Sequence, residues 1–199
     1  DAMFRLFFDD EKLDFQKQIC STALIFVTCT TLILGVIFLV FRKEVAAWYF
    51  GSEDCETLVI ITILGFIVNS TNQIVSAPTR IQNKRKVFLV TNTLSPVISY
   101  SIAIPLILKG YYLVAIPLAT IVSGVTLEIS FGVLNKTYFS IKSFRWEKVK
   151  DLLKIGLPLM PNFIVYWIYN SADKVMISQI LGNSYTGVYS IASKIGHIS

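Results

Sequence analysis

Long apolar blocks separated by short polar segments dominate the chain. The first block, residues 19–41, carries no ionisable side chain apart from two cysteines, and as a helix it could cross about 30 Å of hydrocarbon. A sixth block opens at Thr186, and the four blocks between them are residues 57–77, 87–108, 112–134 and 155–181. Backbone in lipid must satisfy its own hydrogen bonds, and these blocks are about twice the length of a barrel strand. The pattern predicts an all-α, polytopic membrane helix bundle.

Composition supports that fold class. Hydrophobic residues make up 54% of the chain and charged residues 16%, and the mean hydropathy of +0.62 is far above that of an ordinary soluble domain. Residue 1 is Asp rather than an initiator methionine, and the last residues, GHIS, fall within a helical pattern. We therefore expect a fragment of a longer protein, with residues 2–8 as the tail of an earlier helix.

The basic residues predict an orientation. If residues 19–41 run outward, the cytoplasmic segments are 1–18, 78–86 and 135–154, and together they hold 13 of the 18 lysines and arginines. This asymmetry is what the positive-inside rule describes. The pI of about 9.1 then reflects topology and attraction to anionic lipids, so we expect membrane lipids and no nucleic acid as partners.

The chain contains few residues suited to catalysis or metal binding. Cys20 and Cys29 lie too far apart along one predicted helix to bond, and Cys55 stands alone in an outer loop. A lone histidine such as His197 is more typical of packing than of metal ligation, and no CxxC, HExxH or Gly-rich phosphate loop occurs. We predict no metal site, no cofactor and no enzymatic activity.

Polar side chains form a stripe on the 155–181 helix. With a rotation of 100° per residue, Asn162, Tyr166, Tyr169, Asn170 and Asp173 fall within a sector of about 100°. Three other helices carry comparable stripes: Asn69, Asn72, Gln73 and Ser76; Asn92, Ser95 and Ser99; and Thr186, Tyr189, Ser190, Ser193 and His197, flanked by Lys194. Four stripes on separate helices predict a shared interior.

Two interpretations of the stripes stay open. Small and amide side chains at helical spacing can simply join neighbouring helices through hydrogen bonds, each worth about 0.6 kcal/mol. For the serines and threonines alone this interpretation is favoured. For the amides, tyrosines and Asp173 together, a water-filled cavity is favoured, because so many polar groups are hard to satisfy in a dry bundle.

Three segments resemble a known family. MFRLFFDDEK (3–12), SAPTRIQNKRKVFLVTN (76–92) and above all DLLKIGLPLMPNFIVYWIYNSADKVMISQILGNSYTGVYSIASKI (151–195) are similar to polysaccharide flippases of the bacterial cell envelope. This family lies within the multidrug/oligosaccharidyl-lipid/polysaccharide exporter superfamily. The most specific likeness combines Leu157 and Pro158 at the opening of a span, Asp173 and Lys174 deep along it, and Gly182 at its end.

The resemblance implies a fragment of a two-lobed MATE-like exporter in the bacterial inner membrane. Residues 1–18 would end an earlier helix and form a cytoplasmic loop, 19–134 would be four helices of the N-terminal lobe, 135–154 a basic inter-lobe loop, and 155–199 the first helices of the C-terminal lobe. The implied function is the flipping of undecaprenyl-diphosphate-linked oligosaccharides, such as O-antigen or capsule repeat units, by alternating access. A polysaccharide polymerase or chain-length regulator is an implied partner.

Combined with the stripes, the resemblance assigns residues to roles. Headgroup sugars and diphosphate need hydrogen bonds and charge that replace water in the membrane. The predicted sugar-binding residues are Asn69, Gln73, Asn162, Tyr166, Tyr169 and Asn170, and the predicted diphosphate-binding residues are Lys174, Lys194 and Arg5. Asp173 and Glu128 are the only carboxylates deep within predicted spans, which makes them candidates for coupling to a proton or sodium gradient.

The placement of Asp173 and Lys174 depends on where the hydrocarbon begins. Counted from Ile155, the pair lies about 27 Å along the helix, near the outer interface, whereas counted from Pro161 it is inside the membrane. Adjacent positions project about 100° apart, so we expect no direct ion pair between them.

Two other functions remain open. A drug or metabolite exporter of the same superfamily would share the bundle, although the few acids within the spans disfavour it. A membrane-embedded glycan polymerase or acyltransferase would need a catalytic set near one interface, which the short predicted outer loops lack.

Overall fold

The computed structural model describes residues 2–10, 12–50 and 56–196, without the side chains of residues 48–50, 183 and 194–196. The described part is all-α. Its helices are α1 (Ala2–Phe7), α2 (Leu13–Val40), α3 (Arg42–Phe50), α4 (Glu56–Ile81), α5 (Arg85–Leu108), α6 (Tyr112–Leu134), α7 (Trp146–Leu181) and α8 (Asn183–Gly196), with short 3-10 helices at Lys136–Tyr138 and Ile141–Ser143. Five of them, α2, α4, α5, α6 and α7, are long and apolar enough to cross a membrane. The predicted polytopic helix bundle is confirmed.

The exposed surface also fits a membrane protein. Large apolar side chains such as Leu89, Val90 and Val97 on α5, or Ile33 and Val36 on α2, are more than half exposed. Exposing so much apolar surface to water would be unfavourable by about 25 cal/mol per Å². Acyl chains or neighbouring membrane helices remove that penalty, so these positions fit a membrane environment.

The predicted boundaries of the apolar blocks agree best with the observed helix ends where apolar sequence meets a turn. Helix α6 has the predicted bounds, whereas α7 begins at Trp146, inside the segment predicted as a loop. The first turns of α7 are charged but amphipathic: Val149 is buried, and the Lys148 ammonium lies 4.4 Å from the centre of the Phe15 ring. A hydropathy pattern detects only the later, apolar turns of such a helix.

Helix α3 lies where an outer loop was predicted. Its sequence RKEVAAWYF is rich in residues with good helix propensity, and Ala46 is fully buried against Val59 and Ile63 of α4. Where α3 begins, Arg42 Nε donates to Glu56 Oε2 at 2.6 Å. Local propensity and this packing make the connection helical.

The chain divides into two compact units, residues 1–152 and 153–199. In the first unit α6 is central: α4 and α5 both pack along it, α2 packs on α4, and α1 packs on α2. The second unit contains α7 from residue 153 onward and α8.

Small residues allow close approach of the helices in the first unit. A Cβ added at Gly124 of α6 would lie 2.9 Å from Val68 Cγ1 of α4, and one at Gly35 of α2 would lie 3.2 Å from Ile63 Cγ2. A larger residue at Gly124 would force Val68 to shift, because real Cβ atoms essentially never approach so closely.

The segment after α6 is tied to the bundle by polar side chains of α2. Ser21 is 2% exposed, and its Oγ accepts a hydrogen bond from Ser140 N at 2.9 Å. Thr22 Oγ1 accepts one from Arg145 N at 3.1 Å. The rings of Phe7 and Tyr138 also lie 5.9 Å apart. Residues 135–145 are therefore an ordered part of the first unit.

Candidate functional site

A cavity of about 820 Å³ lies between α4, α5 and α6. It exists because α4 and α5 each pack along α6 but touch each other at few points. Its polar lining comes from all three helices: Asn69, Asn72, Gln73, Ser76 and Arg80 of α4, Asn92 and Ser95 of α5, and Thr120 and Ser123 of α6. Apolar side chains such as Phe66 and Ile121 line the remainder, so the cavity is amphipathic.

Two amides on α4 are free to bind a ligand. Asn69 and Gln73 are one helical turn apart, are exposed, and their side chains have no hydrogen-bond partner among the described residues. Asn69 lies near the middle of α4, so a membrane that α4 spans would place both amides within the hydrocarbon layer. There an amide needs water or a ligand, because lipid offers neither donor nor acceptor.

Other polar groups in the lining already form hydrogen bonds within the protein. Asn72 Nδ2 donates to the carbonyl of Gly124 on α6 at 3.1 Å. Asn92 Nδ2 donates to the Phe88 carbonyl of its own helix at 2.8 Å, and the hydroxyl of Thr120 donates to the Pro117 carbonyl at 2.8 Å. The single donor of the Thr120 hydroxyl is therefore occupied, whereas each asparagine keeps one N–H and its side-chain oxygen.

Arg80 supplies positive charge at one end of the cavity. Its guanidinium carbon lies 5.0 Å from the centre of the Phe4 ring and 5.9 Å from that of Phe88, and Nη2 donates to the Gln73 carbonyl at 3.1 Å. These contacts hold the group by cation–π attraction and one hydrogen bond. Sequence reasoning counted Arg80 only as a topology signal; the aromatic residues at positions 4 and 88 were the available hint.

A buried amide joins α4 to the end of α6. Asn135, 1% exposed, donates through Nδ2 to the Val75 carbonyl at 2.9 Å and to Thr79 Oγ1 at 2.8 Å. Thr79 is also 1% exposed. Asn135 was not predicted, because it stands alone beyond the last apolar turn of α6.

The predicted stripe residues of α7 lie in the second unit. Asn162, Tyr166 and Tyr169 are exposed, and half-buried Asn170 donates through Nδ2 to the Tyr166 carbonyl at 2.8 Å. Within this unit the hydroxyl of Tyr189 on α8 donates to Asp173 Oδ2 at 2.9 Å. The stripes of α4 and α5 thus meet in one cavity, and a chamber shared with α7 and α8 stays a prediction.

The predicted charged residues are scattered. Lys174 is exposed and has no carboxylate partner in the described part of the chain; Arg5 is exposed on α1. Glu128 is half-buried on α6 and is not one of the described residues that line the cavity. The side chain of Lys194, together with Cys55 and His197, lies outside the described residues.

Comparison with protein families gives one informative match. Residues 10–198 match the model of a family described as polysaccharide biosynthesis protein. Neither the curated proteins nor the solved structures give a match. The match covers nearly the whole chain, including the cavity and both compact units, and it confirms the predicted resemblance to a polysaccharide family, although most of the first quoted segment lies before the matched residues.

Proposed function

This chain belongs to the polysaccharide biosynthesis protein family, and we propose that it is part of a flippase for lipid-linked oligosaccharides. The proposed substrate is an undecaprenyl-diphosphate-linked repeat unit, for O-antigen or capsule, carried across the bacterial inner membrane by alternating access. We propose a transporter rather than an enzyme. Membership of the family and five helices long and apolar enough to cross a membrane support a role in making or exporting polysaccharide at a membrane.

One observation carries the proposal: the free amides of Asn69 and Gln73 line a cavity between membrane helices. In the hydrocarbon layer an amide that met neither water nor a ligand would be unfavourable by about 1–3 kcal/mol, so these exposed amides fit a hydrated cavity better than a purely structural position. Sugar hydroxyls are both donors and acceptors, and an amide offers both in return. The apolar part of the lining, including Phe66, can pack on the C–H faces of sugar rings.

In the proposed mechanism, the polar headgroup enters the cavity while the prenyl chain stays in the lipid. The cavity groups replace the water that the sugars lose, so that the headgroup never meets bare hydrocarbon. Tyr166, Tyr169 and Asn162 of the second unit are proposed to contribute hydrogen bonds from the other lobe. Arg80 joins Lys174, Lys194 and Arg5 as a proposed partner of the diphosphate.

Coupling to an ion gradient remains part of the proposal. Asp173 is the stronger candidate, because its carboxylate accepts a hydrogen bond from the Tyr189 hydroxyl of the next helix. A change of protonation or ion binding at Asp173 would alter that contact between α7 and α8. Glu128 is the second candidate.

The test is a flipping assay in proteoliposomes with a fluorescent undecaprenyl-diphosphate oligosaccharide. We expect the Asn69→Leu/Gln73→Leu double variant to lower the flipping rate at least about tenfold, since two hydrogen bonds to substrate are lost. Thr30→Val is the matched control, because within the described residues the Thr30 hydroxyl bonds only to the Phe26 carbonyl of its own helix, at 2.8 Å. A flipping rate of the double variant equal to that of the wild type would refute the proposal that this cavity binds the substrate.

Two further measurements separate the other functions. Transport of cationic dyes without flipping of the glycolipid would favour a drug exporter. Mass spectrometry of the glycolipid after incubation would reveal a longer or acylated glycan if the protein were a polymerase or acyltransferase.

A further inference from the structure

A second, smaller recess lies at the turn between α4 and α5. It has a volume of about 130 Å³ and is lined by Thr79, Arg80, Asn83, Lys84, Arg85 and Phe88. Arg80 and Phe88 also line the large cavity, so the recess adjoins one end of that cavity. Both features belong to the first compact unit.

The recess concentrates positive charge that no carboxylate offsets. Three of its lining side chains are cations, and none of the three is within 4.0 Å of a carboxylate among the described residues. By contrast, Arg42 and Lys43 both lie within 4.0 Å of Glu56. Uncompensated cations around one recess favour an anionic ligand.

Two of the cations are held in position. Arg85 Nε donates to Asn83 Oδ1 at 2.6 Å, and Asn83 has a φ of 55°, which turns the chain sharply between the helices. The Arg80 guanidinium is held near Phe4 and Phe88, at 5.0 and 5.9 Å from the ring centres. Guanidinium groups with a fixed geometry suit the paired oxygens of a phosphate.

The position of the recess suits a lipid headgroup. It follows the last turn of the membrane helix α4 and precedes the first turn of α5, which places it at the membrane–water boundary if both helices span. A phosphate of a membrane lipid lies at that depth. A soluble anion would not need a site so close to the hydrocarbon.

We propose that this recess binds the phosphate or diphosphate of a membrane-anchored lipid beside the entrance to the cavity. The proposal rests on the proposed function, because the nearby cavity would receive the glycan of the same molecule. Lys86 provides an internal comparison: it is the next cation in the turn but does not line the recess. If these cations served only to orient the chain in the membrane, Lys84, Arg85 and Lys86 would have the same role. If the recess binds an anion, Lys84 and Arg85 contribute to binding and Lys86 does not.

The experiment measures binding of fluorescently labelled farnesyl diphosphate to the whole protein in nanodiscs of phosphatidylcholine. We expect the Lys84→Gln/Arg85→Gln variant to bind roughly tenfold more weakly or worse, because two charged donors are removed. Lys86→Gln should bind within about twofold of the wild type. Equal weakening by Lys86→Gln and by Lys84→Gln alone, or unchanged binding in the double variant, would overturn the proposal.

Competition identifies the source of the phosphate. Displacement by unlabelled farnesyl diphosphate but not by the same mole fraction of phosphatidylglycerol supports a diphosphate lipid, and displacement by both supports an ordinary lipid phosphate. Displacement by neither means that the label itself binds, which would overturn the proposal. Arg85→Lys keeps the charge but loses the bond to Asn83, so it should retain more binding than Arg85→Gln.

This test is separate from that of the transport function. Farnesyl diphosphate has no sugar, and its binding requires no flipping. The Asn69→Leu/Gln73→Leu variant should therefore bind it normally. Normal binding together with absent glycolipid flipping in the wild type would contradict the proposed function while leaving the phosphate site in place.

Discussion

Helix α4 carries similar polar residues on two faces, one that packs against α6 and one that lines the cavity. On the side toward α6, Asn72, which also lines the cavity, bonds to the Gly124 carbonyl, and Thr79 bonds to Asn135. On the face toward the cavity, Asn69 and Gln73 lack side-chain partners within the described residues. The first face is structural, and the second is available to a ligand.

The difference follows from how closely each neighbour approaches. Glycine at position 124 brings the α6 backbone within hydrogen-bonding distance of the Asn72 side chain. Helix α5 packs along α6 and contacts α4 at few points, so no side chain among the described residues bonds to Asn69. The bond of Asn72 fits the first interpretation of the polar stripes, whereas the unpartnered side chains of Asn69 and Gln73 fit the second, which stays a prediction. Four substitutions, ordered by their expected effect on stability, probe this division.

The largest loss of stability is expected for Asn135→Leu. The substitution replaces the amide with a larger apolar group and removes its bonds to Thr79 and to the Val75 carbonyl, which should lower the free energy of unfolding by about 2 kcal/mol. Titration with SDS in bicelles measures this. The Thr79→Val/Asn135→Leu double variant should lose less unfolding free energy than the two single variants lose together, because both partners become apolar. Additive losses would contradict a direct coupling.

A smaller loss is expected for Gly124→Ala. The new methyl would lie 2.9 Å from Val68 Cγ1, and overpacking of this kind costs about 1–3 kcal/mol, partly offset by the gain of up to about 1 kcal/mol from helix propensity. We expect a net loss of about 1 kcal/mol.

Gly132→Ala is the matched control for Gly124→Ala. It lies on the same helix, but its Cβ would be 4.0 Å from Val75 Cγ1, an ordinary contact. It should be neutral or stabilising by up to about 1 kcal/mol. Equal effects at the two glycines would show that α4 and α6 are not in tight contact at Gly124.

Asn72→Ala should have a modest effect. It removes one hydrogen bond to the Gly124 carbonyl, and such bonds between membrane helices average about 0.6 kcal/mol. Unfolding in the same bicelles should show a loss of that size. A loss above about 2 kcal/mol would mean that Asn72 has contacts beyond this bond.

The smallest effect on stability is expected for Asn69→Ala, although its effect on transport should be large. No described residue bonds to its side chain, so the free energy of unfolding should change by less than about 0.5 kcal/mol. Glycolipid flipping in proteoliposomes should still fall severalfold. A stability loss equal to that of Asn72→Ala, with normal flipping, would place Asn69 among the structural residues.

The fold was largely predictable from the sequence, because apolar blocks of membrane length leave few alternatives. The bounds of α6 agree with the pattern on both sides, where the apolar run meets Gly110 and Asn135. The start of α7 and the whole of α3 were missed, since charged amphipathic turns and short connecting helices have no strong hydropathy signal.

The candidate site was predictable only in part. Helical spacing placed Asn69 and Gln73 on one stripe, and the structure brings that stripe to a cavity with Asn92 and Ser95. The same spacing included Asn72, which is bonded to α6. Arg80 and Asn135 were missed because their roles depend on residues distant in sequence, Phe4 and Val75.

The sequence by itself determined that the chain belongs in a membrane, which long apolar helices it forms and where four of them carry polar stripes, because hydropathy and a rotation of 100° per residue are local properties. It also determined the family, since that depends on the order of residues along nearly the whole chain. Only the tertiary structure decided which polar groups are satisfied and which are free. That outcome depends on the distance between neighbouring backbones, which small residues such as Gly124 set across α4 and α6.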